Sequence, residues 1–198
     1  MKIKQIESIL KSKKTIIILN TPSCQWLGDG SAFYPVYNLP KLTQENVFTI
    51  FDVPEDKWDK FSFKELDAPT YTNFDDDDEN EQMLDRSKFV DICAGGRRLE
   101  ALVTSDGISF IDTRYLKPFA DIDDGCELYE RIDKNGEPYI VAKTGFVIVG
   151  IIKPYDLIND KFINILESML ALSRAALFNK EKRTPPENDP DQITMNNK

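Results

Sequence analysis

The sequence predicts an α+β protein in which antiparallel sheets are combined with an N-terminal and a long C-terminal amphipathic helix. Apolar side chains recur at helical spacing in residues 2–13 and again after Pro154. Residues 110–152 instead contain short apolar and β-branched runs separated by turn residues, which is typical of antiparallel strands. The change from a period of 2 to a period of 3.6 residues predicts that the last helix packs on the sheet.

The N-terminal part is predicted to begin with a helix and to continue in strands. One apolar face on residues 2–13 predicts the helix, and the β-branched run 15–19 predicts a buried strand. Residues 21–30 contain Pro22, Gly28 and Gly30, so we expect a loop or tight turn there. The remaining predictions for this part are strands at 32–37 and 47–53 and a short helix at 55–61, beginning after Pro54 and anchored in the core by Trp58.

An acidic run, DDDDENEQ at residues 75–82, is predicted to be a mobile loop that divides the chain. Blocks of like charge repel each other and seldom pack. We expect a helix and strand subdomain at 1–74, an acidic linker at 75–88, and an antiparallel meander with the last helix at 89–182. The tail 183–198 has three prolines and few apolar residues, which predicts disorder.

The second half is predicted to be a meander. Asn135-Gly136 is the strongest hairpin signal in the chain, because this pair readily adopts positive φ. Residues 146–152 are apolar on both faces, which predicts a central strand. We expect a short helical or turn segment at 83–87 and strands at 89–93, 97–103, 108–112, 127–132, 137–142 and 146–152.

The segment after Pro154 predicts a helix of about 20 residues. Asn159 or Asp160 is expected to cap its start. The apolar residues that define its core-facing side follow a 4-3-4-3-4 spacing: Ile158, Phe162, Ile165, Met169, Leu172 and Ala176.

The composition argues against most enzyme chemistry. The 198 residues include no histidine, which removes histidine triads and histidine metal sites. The three cysteines, Cys24, Cys93 and Cys126, form no CxxC pair. Asp121, at the start of a run of acids, would open an EF-hand only with glycine at its sixth position, where Cys126 stands instead. We therefore predict no catalytic residue, no metal and no cofactor, although a metal-dependent enzyme using aspartate clusters stays a third alternative.

The charge distribution suggests where nucleic acid would bind. The net charge is −9, so contact with DNA would need a local basic patch. Five of the 25 basic residues fall within the first 14 positions. No signal peptide and no transmembrane run is seen, and a cytoplasmic location without membrane contact is expected. The candidate DNA-binding residues are Lys2, Lys4, Lys11, Lys13 and Lys14.

Two segments resemble DNA polymerase sliding clamps. The first is IKQIESILKSKKTIIILN at 3–20 with WLGDGSAFYPV at 26–36, and the second runs from FIDTRYLKPF at 110–119 to IVGIIKP at 148–154. The resemblance implies a clamp-like fold, basic helices facing duplex DNA, replication proteins as partners and a homo-oligomer. The full internal repeat of a clamp is not evident between the two halves.

The residue pattern of the whole chain resembles that of uncharacterised phage and prophage proteins of low-GC Gram-positive bacteria. The segments that carry this resemblance are GDGSAFYPVYNLPKLTQENVFTIFDVPEDK at 28–57 and YIVAKTGFVIVGIIKPYDLI at 139–158. The two resemblances together imply a non-enzymatic phage-type accessory protein acting in DNA replication or recombination. The alternative is an acidic protein-interaction module that inhibits a host DNA-binding protein.

Overall fold

The structure, a computed structural model, describes residues 3–37, 39–86, 91–119 and 126–183. The chain divides into two compact units, Met1–Asp156 and Leu157–Lys198. Lys2, the acidic run that begins at Asp121 and the tail from 184 onward lie outside the described residues, so the predictions made for them stay predictions.

The first unit contains two α-helices, two 3-10 helices and eleven strands within the described residues, and the second contains one helix. The α-helices are α1 (Ile3–Lys13), α2 (Gln44–Ile50) and α3 (Asp160–Arg183). The 3-10 helices are Glu55–Lys60 and Thr113–Phe119. The strands are β1 (Thr15–Asn20), β2 (Gln25–Gly28), β3 (Ala32–Val36), β4 (Ser62–Asp67), β5 (Gln82–Met83), β6 (Ile92–Ala94), β7 (Arg97–Thr104), β8 (Gly107–Asp112), β9 (Glu127–Ile132), β10 (Pro138–Thr144) and β11 (Val147–Ile152).

The larger of two sheets has eight strands in the order β4-β1-β2-β3-β11-β10-β9-β5. All its pairings are antiparallel except that of β1 with β4. The join between the early and the late strands is short, since β3 and β11 pair only at Phe33–Ile151 and Ala32–Ile152. Strands from both sides of the acidic segment therefore belong to one sheet.

The smaller sheet has the order β6-β7-β8 and shares a core with the larger one. Leu102 and Ile111 of the small sheet belong to the same buried cluster as Ile16 and Ile18 of β1. A second cluster, which includes Trp26 and Tyr139, is formed largely by residues of the larger sheet. The single meander predicted for the second half is thus divided between two sheets.

The predicted fold class is confirmed in its general form: mixed α and β structure, sheets rich in antiparallel pairs, and a C-terminal helix. The hairpin at 133–136 joins β9 to β10, and Gly136 has the expected positive φ of 86°. Strand β11 lies in the interior of the sheet between β3 and β10. Asn159 caps α3, since its Oδ1 accepts a hydrogen bond from the Phe162 amide at 3.0 Å.

The strand predicted at 47–53 is wrong, because this segment begins inside α2. The Thr43 side chain and the Asn46 side chain each accept a hydrogen bond from the other residue's amide, forming a capping box. Val47, Phe48 and Phe51 are then buried on one side of the helix. Tertiary burial and a cap outweigh the β propensity of the apolar residues in this short segment.

The loop predicted at 21–30 is also wrong in part, because β2 occupies Gln25–Gly28. Gly28 allows the tight approach of β2 and β3: a Cβ there would lie 2.1 Å from the Ala32 carbonyl oxygen and 2.4 Å from the Phe33 ring. The glycine therefore serves strand packing rather than a break in the strand. Strand β4 was not predicted, and β5 replaces the turn expected at the start of 83–87.

Helix α3 forms as predicted, but its apolar side chains are not buried. Leu172 is 71% exposed, Met169 is 58% exposed and Ile165 is 48% exposed. The helix and the sheet belong to different units, so the packing of this face on the sheet stays a prediction. Among the described residues, no helix combines the length and apolar character required to span a membrane.

Candidate functional site

Of the lysines predicted to bind DNA, the four that the structure describes lie on or just after α1. Ile6, Ile9 and Leu10 are buried and hold the helix against the core, which leaves its other face outward. Lys4 and Lys14 are exposed, and among the described residues no ion pair joins either to an acid. Lys14 has a φ of 52°, and the left-handed turn there ends the helix before β1.

Two of the predicted residues contribute less positive charge to this surface. Lys11 Nζ lies 2.6 Å from Glu7 Oε1, one turn earlier on the same helix, and this pair reduces its free charge. Lys13 is only partly exposed. The effective cations of this segment in the structure are therefore Lys4 and Lys14, with Lys13 and Lys11 secondary.

One further exposed lysine lies on an element that contacts α1. The 3-10 helix Thr113–Phe119 packs against α1 and carries the exposed Lys117. Its other cation, Arg114, lies with Nε 2.8 Å from Oδ2 of the buried Asp112. Lys117 is 104 positions beyond the end of α1. It lines a depression together with Asp91 and Glu100, so we do not count it among the lysines of the α1 surface.

The acidic segment 75–81 is held by one buried arginine. The Arg131 side chain has no exposed surface. It donates to the backbone oxygens of Asp75 at 2.8 Å and Asp76 at 3.0 Å, and to Glu81 Oε2 at 2.6 Å. In addition, Asp76 Oδ1 accepts a hydrogen bond from the Ile148 amide at 2.8 Å. The expectation of a mobile loop is therefore corrected, while the predicted subdomain boundaries stay a prediction.

The charges inside this network balance one another. Glu81 receives both Arg131 and the Lys143 ammonium, which is 6% exposed. Burial alone would raise the pKa of Asp78, but hydrogen bonds from Asn80 and Asn73 and the charge of Arg131 hold that pKa below its usual value. Burial of the Arg131 guanidinium is tolerated because hydrogen bonds and neighbouring carboxylates replace the water that it loses.

The result is an acidic surface of fixed backbone shape. Asp75, Asp76, Asp77 and Glu79 are exposed, while Arg131 binds the backbone oxygens of Asp75 and Asp76. A segment whose backbone is already ordered can present its carboxylates to a basic partner without first being ordered by that partner.

A cleft of about 360 Å³ lies on the same face of the large sheet as Arg131, since Tyr139, which lines the cleft, is paired with Arg131 across β9 and β10. Phe33, Phe74, Tyr139 and Ile151 line it, and Tyr71 stands at its edge. The Tyr139 hydroxyl donates to the Asn73 carbonyl oxygen at 3.3 Å and accepts from the Asn73 amide at 3.2 Å. The Lys134 amide donates to the Tyr71 carbonyl oxygen at 3.0 Å, so the β9–β10 hairpin is fastened to the segment that follows β4.

Most polar groups at this cleft form hydrogen bonds within the protein. Asp133 Oδ1 accepts the amides of Asn135 and Glu137 and so closes the hairpin turn. Glu137 and Lys153 stand exposed at the edge. An aromatic floor with one exposed acid and one exposed base can hold an apolar group, but it offers no paired nucleophile and base.

The thiol of Cys126 is not activated as a nucleophile. Burial raises the pKa of the Cys126 thiol to about 11, so the thiolate is scarce at neutral pH. Among the described residues, no group of three or more cysteine, aspartate or glutamate side chains is arranged to hold a metal ion.

Comparisons with known proteins find no family model, no curated protein and no solved structure that matches this chain.

Proposed function

We propose that this chain is a non-enzymatic, phage-type accessory protein that acts in DNA replication or recombination in the cytoplasm, with duplex DNA bound on the α1 surface. The observation that carries the proposal is the exposed pair Lys4 and Lys14, which lie off the buried face of α1. The acidic segment is held against β9 and β11 instead, where Arg131 binds the backbone oxygens of Asp75 and Asp76 and the Ile148 amide binds the Asp76 carboxylate.

This arrangement favours contact with phosphates rather than with base edges. Lysine side chains on a solvent-facing surface neutralise backbone charge and carry no sequence information. Binding should therefore be weak, indifferent to sequence and strongly dependent on salt, because each phosphate contact releases a counterion. A clamp-like ring would add topological retention on DNA, and the resemblance to sliding clamps is the only support for that finer version.

The experiment is a salt titration of binding to duplex DNA by the full chain. Replacing Lys4 and Lys14 together by Glu should weaken binding at least tenfold at low salt. It should reduce the slope of log affinity against log salt by about 1.8, or 0.9 for each lost contact. Both lysines lie off the buried face of α1, so the melting temperature should change little.

A matched control carries the same change of charge away from α1, next to strands of the large sheet. Lys134 lies in the β9–β10 hairpin and Lys153 follows β11, and both are exposed. The Lys134→Glu, Lys153→Glu variant should keep the wild-type salt slope. Equal weakening in both variants would mean that net charge alone governs binding, and no retention of wild-type protein at low salt would refute direct DNA contact.

A second candidate function is the acidic interaction module, and the fixed segment 75–81 favours it. A basic DNA-binding protein of the host would be the partner, with carboxylates standing in for phosphates. In that case wild-type protein should displace such a protein from DNA without binding DNA itself. The variant Asp75→Asn, Asp77→Asn, Glu79→Gln should lose this competition, whereas the Lys4 and Lys14 variant should retain it.

A further inference from the structure

Helix α3 carries a broad apolar surface whose side chains are exposed in the structure. Eight large apolar side chains in α3 are between 42% and 71% exposed. They are Ile163, Ile165, Leu166, Met169, Leu170, Leu172, Leu177 and Phe178. Isolated exposed apolar residues are common on proteins, but a continuous helical surface of this size normally meets a partner.

The spacing of these residues is that of a helix which pairs with other helices. Phe162, Ile165, Met169, Leu172 and Ala176 alternate steps of three and four, which is the heptad pattern of core positions. A second row, Ile163, Leu166, Leu170 and Leu177, lies directly beside it. At 100° per residue the two rows cover about half of the helix circumference, which is wider than the seam of a two-stranded coiled coil.

The charges of α3 select the orientation of a like partner. Its first half, 160–171, has two acids and one lysine, whereas its second half, 172–183, has four basic residues and one acid. Parallel copies would place the basic halves together and repel each other. Antiparallel copies place each basic half beside the acidic half of the other helix, and the helix ends also align favourably.

One register satisfies the heptad positions in that orientation. With the centre of the pair between Leu170 and Ala171, Met169 of one helix meets Leu172 of the other. Ile165 then meets Ala176, so each layer combines two core positions. A helix of 24 residues is about 36 Å long, which provides more than three heptads for this contact.

We propose that α3 is a self-association helix through which copies of this chain assemble antiparallel, as dimers or as dimers paired into four-helix bundles. The inference is independent of DNA binding, because it uses no residue of the α1 surface. The partner of α3 is a second copy of the same helix, because both the heptad spacing and the opposite charges of the two halves of α3 fit it.

The first test is the mass of the full chain in solution, measured by light scattering and by sedimentation over a wide concentration range. Wild-type protein should have the mass of two or four chains. The variant Met169→Glu, Leu172→Glu should have the mass of one chain, because association would bury two unpaired carboxylates of each chain between the helices. A wild-type protein that is monomeric at every concentration would overturn the proposal.

A matched variant controls for added charge. Asn164→Glu with Ala171→Glu introduces two acids on the polar side of α3 and should keep the wild-type mass. If the Met169 and Leu172 variant fails to fold, Leu172→Ala is the milder test, and its dimer dissociation constant should rise at least tenfold. Retention of the wild-type mass by the seam variant would show that the copies join elsewhere and would refute the role of α3.

Engineered cysteines test the orientation. In the antiparallel register, protein with Ile165→Cys should crosslink to protein with Ala176→Cys when the two are mixed under oxidising conditions. Protein with Ala176→Cys alone should not crosslink through that residue, because its two copies stand roughly 16 Å apart along the axis. Peptide mapping distinguishes these bonds from those of the native cysteines, and efficient crosslinking of Ala176→Cys with itself would contradict the antiparallel arrangement.

Discussion

Helices α1 and α3 have similar sequence signatures but opposite environments. Each has apolar residues at helical spacing with charged residues between them. In α1 the residues Ile6 and Leu10 have no exposed surface, whereas in α3 Leu170 and Leu172 are at least half exposed. Apolar periodicity therefore predicts that a helix forms and which face seeks a partner, but it does not identify the partner.

The difference also has an energetic meaning. In α1 the buried face contributes to the stability of the first unit, because removing its side chains leaves cavities in a close-packed core. The apolar face of α3 can contribute comparable stability only when something covers it. The first unit, by contrast, buries even charged groups such as Arg131. Substitution of this arginine therefore tests most directly how much the buried contacts of the first unit contribute to its stability.

The largest effect is expected for Arg131→Met. The substitution leaves Glu81 Oε2 and the carbonyl oxygens of Asp75 and Asp76 without the Arg131 donor, although Lys143 still binds Glu81 Oε1. This loss should cost about 3–5 kcal/mol of unfolding free energy. The control is Arg98→Met, since Arg98 pairs with Asp91 but its side chain is 70% exposed. Denaturant melts should give a loss of about 0–1 kcal/mol for the control. Similar losses in both variants would mean that the acidic segment is not held as the structure shows.

The next effect compares the two helices directly. Leu10→Ala in α1 should cost about 2–5 kcal/mol, because Leu10 is fully buried. Leu170→Ala in α3 should change the free energy of unfolding by less than about 0.5 kcal/mol when measured in the Met169→Glu, Leu172→Glu background, where α3 is unpaired. A loss above about 1 kcal/mol at Leu170 in that background would break the comparison, since it would show that the monomer buries α3.

The smallest effect is a pH dependence confined to the first unit. Burial raises the pKa of Tyr115 from 10.0 to about 12, and its hydroxyl donates to Asp29 Oδ2 at 2.9 Å. Burial also raises the pKa of Tyr34. The unfolded chain loses these protons first, so stability should be complete below pH 10 and fall as the pH rises toward 12, with a slope of at most about 1.4 kcal/mol per pH unit for each tyrosine.

Tyr115→Phe provides the control for this pH dependence. In this variant the loss of unfolding free energy at high pH should be smaller by the contribution of Tyr115, while the contribution of Tyr34 remains. Denaturant melts between pH 8 and pH 12 measure the difference. The content of α3 helix, followed by circular dichroism in the unpaired background, should not share this transition. An unchanged slope in Tyr115→Phe would show that Tyr115 titrates normally.

The sequence by itself determined the parts of the fold whose partners are close along the chain. The Asn135-Gly136 hairpin, the interior strand β11, helix α1 and the Asn159 cap of α3 all follow from local backbone preferences and short-range hydrogen bonds. The lysines of α1 could likewise be found from sequence, although the pairing of Lys11 with Glu7 lowers the weight of one of them.

Only the tertiary structure decided the rest, because the partners lie far apart in sequence. The acidic segment is fixed by Arg131 and Lys143, which are at least 50 positions away. Burial and a local cap turn residues 47–50 into a helix. Local pattern fixes what each segment can form, whereas long-range burial fixes which of its groups are neutralised, which are covered and which remain available to a partner.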